Sequence, residues 1–290
     1  MNPHRWARVA LPLLGLSLLA LSPLPPATAT AGVQRAAPPV LTSVKARHVG
    51  TVDRVVFRFT GGAPTTVYAE WVDTVVYDGS GLPVRVAGAK VLSVVMNGAL
   101  AHDQDGSTVR GRTAFALPNV ITAVSAGDFE GVVSFGLGAQ KQTSFHVRTQ
   151  AHRVVVEVGA AFPTGTRKVW FSDEDGNAAP VSRPVPSTAP AAAVLHALFA
   201  GPRPSERADG LRLVRSRAWG FDHLSIAGGV ARLRLTRGCS SGGSTITVAS
   251  EIVPTLKQFA SVDWVKIYGP GGHTEQPAGR SDSIPTCLEP

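Results

Sequence analysis

The stretch GTVDRVVFRFTGG, residues 50–62, decides the fold of the first half of the chain. Its centre, Val55–Phe59, combines β-branched and aromatic side chains, which is typical of a β-strand. The paired glycines Gly61–Gly62, followed by Ala-Pro, are a turn signal. The stretch therefore predicts a strand that ends in a tight turn.

The same succession of strand-forming runs and turns continues to about residue 160. Turn signals rich in Gly and Asp occur at Asp78–Gly81, Asp105–Ser107 and Gly127–Asp128, and no amphipathic stretch long enough for a helix lies between them. Short strands with such turns predict an all-β sandwich over residues 39–160. The further predicted strands are Val67–Val76, Val84–Val86, Val91–Met96, Val132–Phe135, Phe145–Arg148 and Val154–Val158.

After a linker predicted at residues 161–167, the pattern changes to mixed strands and helices. Ser187–Pro190 combines hydroxyl side chains with a first-turn proline and predicts a helix start. A second helix is predicted from about residue 245 to 259, with Pro254 inside it. The order β-β-α-β-β-α-β predicts that residues 168–290 form an α+β domain with helices packed on a sheet. Its predicted strands are Lys168–Ser172, Val181–Val185, Leu224–Ile226, Val230–Leu235 and Val262–Tyr268.

The first 31 residues have the features of a secretory signal peptide. Arg5 and Arg8 give a basic start, Val9–Leu24 is almost wholly apolar, and Ala29–Ala31 fits a small-x-small cleavage site. An uncleaved membrane anchor is the alternative, but prolines interrupt the segment and it is short for a bilayer span. No cysteine of a lipoprotein follows it. We therefore expect cleavage after residues 1–31, a secreted or cell-wall-associated protein, and no stable membrane anchor.

The net charge of the chain limits the classes of binding partner that we expect. The formal net charge is +8, and loss of the two signal-peptide arginines leaves +6, spread along the chain rather than clustered. Because no basic tract is present, we expect no nucleic-acid partner, whereas weak attraction to an anionic cell wall is compatible with this charge. Arginine outnumbers lysine and alanine is abundant, which indicates a high-GC genome.

The chain has two cysteines, Cys239 and Cys287. In an exported protein such a pair predicts a disulfide. Two buried free thiols or two metal ligands are the alternatives, but no histidine has zinc-finger spacing to either cysteine. The disulfide would close a loop of about fifty residues and fasten the C-terminal tail to the loop before the last long helix.

Two groups of charged residues in the first half have the composition of a reactive site. His102–Gly106 could supply oxygens to a metal ion, but Arg112 stands where an EF-hand would have its glutamate, so we predict a hairpin turn and no metal. Asp128 and Glu130 could pair as acid and base on one strand face. The sequence around them, GDFEG, instead favours a turn leading into a strand.

The Gly/Ser loop Gly238–Ser244 could hold phosphate at a helix start. It lacks the lysine of a phosphate-binding loop, and Ser244 as a helix cap explains the pattern without a ligand. A serine nucleophile here would need a base and an acid, and the nearby Asp222 and His223 adjoin each other before a hairpin. We predict no catalytic residue and no cofactor.

Three aromatic residues, Tyr68, Trp71 and Tyr77, could stack on a sugar ring. Aromatic side chains in a strand-rich domain more often pack in the core or across strands. We keep the three as candidates for a ligand-binding face.

The first half resembles the AMIN-like domain of actinobacterial envelope proteins. The resemblance covers residues 39–160 and implies a β-sandwich with a binding or localising role, since some AMIN domains recognise peptidoglycan. It implies no catalytic residues. The segments that carry it are GTVDRVVFRFTGG (50–62), YDGSGLPVRVAG (77–88), GDFEGVVSFGLG (127–138) and RVVVEV (153–158).

The second half resembles the GerMN domain, a module of sporulation and spore germination. The resemblance implies a non-enzymatic assembly or interaction module of the envelope. This chain departs from the founding protein in having one such domain rather than two, and the cysteine pair is not a general family feature. The segments that carry it are VSRPVP (181–186), PAAAVLHALFAGP (190–202), GGVARLRL (228–235) and PTLKQFASVDWVKIY (254–268).

The two resemblances together imply a non-catalytic exported protein that binds or organises cell-wall components or envelope proteins, with a link to sporulation or germination. Two alternatives stay open. One is a cell-wall hydrolase that would need His102, Asp128 or Glu130. The other is an envelope scaffold that self-associates through the GerMN-like domain.

Overall fold

Strands dominate both domains of the chain. The computed structural model describes residues 37–290, so the predicted signal peptide, 1–31, lies outside the described residues. The strands in chain order are β1 (Val40–Val49), β2 (Val52–Thr60), β3 (Thr66–Val72), β4 (Lys90–Asn97), β5 (His102–Asp103), β6 (Gly106–Ser107), β7 (Arg112–Ala114), β8 (Val120–Phe129), β9 (Val132–Ala139), β10 (Phe145–Gln150), β11 (Arg153–Gly159), β12 (Thr164–Ser172), β13 (Ala178–Pro186), β14 (Phe221–Ala227), β15 (Val230–Leu235) and β16 (Trp264–Tyr268).

The first domain consists of two antiparallel sheets that share one core. One sheet has the strand order β1-β2-β11-β10, and the other has the order β3-β4-β9-β8-β7. Alternate residues of each sheet point inward, and the rings of Phe57 and Phe135 meet across the core with centroids 5.2 Å apart. The β-rich first domain agrees with the sequence prediction.

Two local predictions in this domain were wrong, and two strands were missed. The runs that form β1 and β8 were not assigned, and Val84–Val86 is not a strand. Gly127–Asp128 was expected to be a turn but lies within β8, and the turn follows at Glu130–Gly131, both with positive φ. The first seven residues of β8 are nearly all buried, so the strand lacks the polar-apolar alternation by which strands are recognised.

The second domain is also mostly strands, with few helices. A two-stranded sheet, β12-β13, and a three-stranded sheet, β14-β15-β16, share its core, and β16 runs parallel to β15. The predicted order of elements is present, with one short helix added, but the single sheet that was predicted is in fact two small ones. The helices are α1 (Pro190–Ala200), α2 (Pro204–Ala208), α3 (Val248–Lys257) and a 3₁₀ turn (Thr286–Leu288).

The first long helix begins at the predicted proline but without the predicted hydroxyl cap, and the second begins later than predicted. Helix α1 begins at Pro190 after Ala189, which has a φ of 52° and caps no N–H with its side chain. Helix α3 begins three residues later than predicted, and Thr247 is its cap instead of Ser244. The Ser244 hydroxyl instead accepts a hydrogen bond from the N–H of Ile246, at 3.1 Å.

The junction between the domains is packed. Strand β12 begins at Thr164, inside the predicted linker 161–167, and its Gly165 lies on a two-stranded sheet, where glycine is tolerated. Ile121 of the first domain packs into the core of the second. The Gln140 side chain donates to the carbonyl of Ala193 on α1 at 3.0 Å. Residues 37–290 accordingly form one compact unit.

The C-terminal segment is fastened to the second domain at two points. The predicted disulfide Cys239–Cys287 is present, with Cα atoms 5.6 Å apart, and it joins the tail to the loop before α3. Lys266 of β16 is fully buried, and its ammonium group donates to the carbonyls of Gln276 and Ala278 at 2.5 and 2.9 Å. Within residues 37–290, no helix has the length and apolar character needed to cross a bilayer.

Candidate functional site

The three aromatic candidates lie in three different environments. Tyr68 of β3 is 63% exposed. Trp71 on the same strand packs edge-on against Phe145 and donates its indole N–H to the carbonyl of Thr143 at 2.9 Å. Tyr77 lies in the loop after β3 and lines a pocket between the domains. The structure therefore does not bring them to one face, and their role as ligand contacts stays a prediction.

Asp128 has a structural role at the end of β8. Its carboxylate accepts the N–H of Ala101 at 3.0 Å and contacts the His102 imidazole at 2.6 Å, which ties the small hairpin β5-β6 to the larger sheet. Glu130 is exposed on the following turn. Among residues 37–290, no group of three or more His, Cys, Asp or Glu side chains converges as a metal site would require.

The Gly/Ser loop before α3 is also held by local contacts. The hydroxyls of Ser240 and Ser241 accept the N–H groups of the residues two positions later, each at 3.2 Å. Asp222, the candidate orienting acid, instead pairs with Arg234 at 2.8 and 2.9 Å across β14 and β15. The Arg234 hydrogen bond is the main reason that the pKa of Asp222 is lowered.

One cavity, the interdomain cleft, lies between the two domains and has a volume of about 440 Å³. The first domain contributes the loop at Pro83–Gly88, and the second contributes helix α1 and the start of β14. His196 of α1 stacks on Phe221 in this cleft, with ring centroids 4.8 Å apart. Burial lowers the pKa of His196 to about 4, so the imidazole is neutral at physiological pH.

A second cavity, the arginine pocket, adjoins the cleft and shares Pro83, Arg85 and Trp219 with it. Its volume is about 620 Å³. Arg85 and Arg112 come from the first domain, and Arg215 comes from the second. The remaining lining residues are Tyr77, Gly111, Val124 and Ser125.

Close backbone packing positions the loop that carries Arg85. A Cβ atom at Gly138 of β9 would lie 1.8 Å from the carbonyl oxygen of Ala87, so only glycine lets the loop approach the sheet. Arg85 then reaches across the domain junction, where its Nη1 donates to the carbonyl of Ala218 at 3.0 Å. Arg112, on the short strand β7, donates to the carbonyl of Arg85.

The arginine side chains of the pocket depress one another's pKa. Burial, and next the charge of Arg215, lowers the pKa of Arg85 to about 10. Burial, then Arg215 and Arg85, lowers the pKa of Arg112 to about 9. Burial and the charge of Arg207 lower the pKa of Arg215 as well. All three guanidinium groups remain cationic at neutral pH, so the pocket is strongly positive.

Sequence reasoning did not identify this pocket. Its arginines lie far apart in the chain and on irregular or very short elements, so no motif or periodicity connects them. They meet only because the two domains pack together. Among the candidates from the sequence, Tyr77 is the one that lies in the pocket.

Comparison with known proteins identifies both halves of the chain. Residues 39–160 match the family model of the AMIN-like domain, and residues 168–273 match the model described as Sporulation and spore germination. Both resemblances seen in the sequence are thereby confirmed. No match was found among the curated proteins.

Two solved structures from Bacillus subtilis are similar to this chain. The first GerMN domain of the sporulation protein GerM is 21% identical, with 42% of this chain and 98% of that chain covered and a TM-score of 0.33. The tandem GerMN domains of the same protein are 22% identical, with 41% and 44% covered and a TM-score of 0.30.

Proposed function

We propose that this chain, an AMIN-like domain followed by a GerMN-type domain, is an exported, non-catalytic protein of the cell envelope. In this proposal it binds cell-wall material or envelope proteins during sporulation or germination, after cleavage of residues 1–31. The pairing of the two family matches on one chain carries the proposal. Because disulfides persist mainly outside the cytoplasm, the bond between Cys239 and Cys287 supports export.

The contacts of the reactive side chains support a binding role. Asp128 holds a hairpin, and Asp222 is paired with Arg234. Glu251, fully buried on α3, accepts hydrogen bonds from Ser172 and Val214 at 3.0 Å. A general acid or base must instead reach a substrate proton. These carboxylates make contacts that stabilise the fold.

The mechanism in this proposal is recognition by the surface that both domains form. The interdomain cleft and the adjoining arginine pocket are two concave regions where residues of both domains meet. Concave sites with a few polar groups are the usual ligand sites of proteins. A ligand bound there would contact both domains at once.

Co-sedimentation with purified cell envelope tests the proposal. Residues 37–290 are mixed with increasing amounts of envelope from the producing organism, and the pelleted fraction is measured at low and at high salt. We expect saturable binding that persists at high salt, since screening removes unspecific attraction of a positively charged protein. A heat-unfolded sample is the control. Protein that stays in the supernatant at every envelope concentration would contradict the proposal.

A further inference from the structure

Three cationic side chains line the arginine pocket without a salt-bridge partner, and the charge of Glu251, which favours the cationic form of Arg215, is outweighed by burial and by Arg207. No acidic side chain of the described residues lines the pocket together with Arg85, Arg112 and Arg215. None of the three takes part in an ion pair within residues 37–290. Like charges repel, and burial strengthens the repulsion because the surroundings screen it less than water does. The pocket is therefore an unfavourable arrangement for the protein alone.

The hydrogen bonds of these arginines leave donors unused. Arg85 and Arg112 each donate to a backbone carbonyl, which fixes the positions of both guanidinium groups. Nη1 of Arg112 and Nε of Arg215 are buried and have no hydrogen-bond partner within the described residues. Buried N–H groups of native proteins are nearly always paired. Two arginines of one pocket therefore carry donors that no acceptor of the described residues satisfies.

The positive potential extends beyond the pocket. Nη2 of Arg207, on α2, is likewise buried and without a partner in the part of the chain that the structure describes. Its positive charge contributes to lowering the pKa of Arg215, and that of Arg110 contributes to lowering the pKa of Arg207. Such a field attracts anions and raises their local concentration.

We propose that the arginine pocket binds a phosphate group carried on a sugar or polyol. A phosphate presents more acceptor oxygens and more negative charge than a carboxylate, whose two oxygens a single guanidinium fork already satisfies. Three guanidinium groups, two from the first domain and one from the second, therefore match a phosphate better than a carboxylate. The volume of about 620 Å³ exceeds what one phosphate needs, and the rings of Tyr77 and Trp219 offer apolar faces to an attached sugar.

The inference rests on the proposed function only for the source of the ligand. A wall polymer that carries phosphate monoesters and a soluble sugar phosphate share the chemistry that the pocket recognises. Sedimentation with envelope before and after removal of its phosphate-bearing polymers separates the two sources. Loss of binding after removal assigns the wall polymer, and unchanged binding assigns the soluble ligand.

Titration calorimetry of residues 37–290 with glucose 1-phosphate tests the pocket directly. We expect saturable one-to-one binding, and at least tenfold weaker binding of glucuronate, which carries a carboxylate instead. Arg112→Gln and Arg215→Gln should each weaken binding by about tenfold to a hundredfold, the effect of one charge-assisted hydrogen bond. Arg58→Gln, an exposed site on β2 with the same charge change, is the matched control and should leave the affinity unchanged.

Thermal unfolding separates a ligand-binding role from a structural one. Because Arg112→Gln removes a buried cation without a counter-ion, it should leave the Tm of the free protein unchanged or raise it while binding is lost. A lowered Tm with unchanged affinity would overturn the inference, as would equal affinity for glucuronate or no saturable binding.

The calorimetric and sedimentation results also distinguish this inference from the proposed function. If glucose 1-phosphate fails to bind while the chain still sediments with envelope, the phosphate site is wrong and the proposed function stands. If glucose 1-phosphate binds while the chain stays in the supernatant, the phosphate site is supported and the proposed function is wrong.

Discussion

The carboxylate of Glu206 accepts hydrogen bonds from both terminal nitrogens of Arg183, at 2.8 and 2.5 Å, and both side chains are buried. The pair joins α2 to β13, and the Arg183 guanidinium also lies over the ring of Phe171. Glu206 in addition accepts the backbone N–H of Arg203 at 2.8 Å. One buried carboxylate therefore holds the start of α2 and the hairpin together.

We predict that Glu206→Gln destabilises the protein by about 3–5 kcal/mol, because it leaves the buried charge of Arg183 without its partner. The free energy of unfolding in urea at pH 7 is the measurement. Glu174→Gln, an exposed glutamate in the same domain, is the matched control and should change it by less than about 0.5 kcal/mol. A similar small change in Glu206→Gln would show that the ion pair contributes little.

The same pair predicts sensitivity to acid. Burial alone would raise the pKa of Glu206, but the hydrogen bonds and charges of Arg183 and Arg203 outweigh it and lower the pKa. Because the folded-state pKa lies below the unfolded one, this stabilisation is present above about pH 4.3 and is lost as the pH falls through the lowered value. The unfolding free energies of wild type and Glu206→Gln should therefore converge as the pH falls through the lowered pKa of Glu206. A difference that stays constant throughout the acid titration would contradict this.

Glu251 predicts the opposite pH dependence. Burial raises its pKa to about 7, against hydrogen bonds from the backbone of Val214 and Ser172. The folded protein then binds a proton that the unfolded chain, with a pKa of about 4.3, has released. This stabilisation is complete below about pH 4 and is lost as the pH rises through about 7, by about 4 kcal/mol at most.

Urea unfolding of wild type and Glu251→Gln from pH 5 to pH 8 measures this effect. We expect the stability of wild type to fall relative to that of the variant across this range, because glutamine does not ionise. Parallel profiles would mean that the donated hydrogen bonds keep the Glu251 carboxylate ionised at pH 5.

Lys266 is expected to hold the C-terminal segment, 274–282, in place. Lys266→Met removes three partly buried hydrogen bonds from a charged donor to that segment, so we predict a loss of about 3 kcal/mol and faster proteolysis between residues 274 and 282. Lys257→Met, which breaks the partly exposed ion pair with Asp282, should cost less than about 1 kcal/mol. Equal proteolysis rates in both variants would contradict the role of Lys266.

Packing between the domains predicts that they unfold together. Calorimetry of residues 37–290 should show one transition, since Ile121 of the first domain is buried in the core of the second. Ile121→Ala should destabilise the whole chain by about 2–5 kcal/mol. Two well-separated transitions in the wild type would mean that the domains are thermodynamically independent.

Some features that depend on short stretches of sequence were predicted correctly. The β-branched and aromatic side chains of Val55–Phe59 indicated a strand, and the cysteine pair indicated the disulfide. The sequence did not predict β8, whose buried residues do not alternate, or the start of β12 at Thr164, where a two-stranded sheet tolerates Gly165. The sequence also did not predict the arginine pocket, because tertiary packing alone brings Arg85, Arg112 and Arg215 together.

We propose that the chain binds envelope material without transforming it. Mass spectrometry of the supernatant after co-sedimentation tests this claim most directly. At saturation we expect the protein in the pellet and no new soluble wall fragments, with wild type and Asp128→Ala giving the same spectrum. Fragments that accumulate with time in the wild type and disappear in Asp128→Ala would identify a hydrolase and contradict the account.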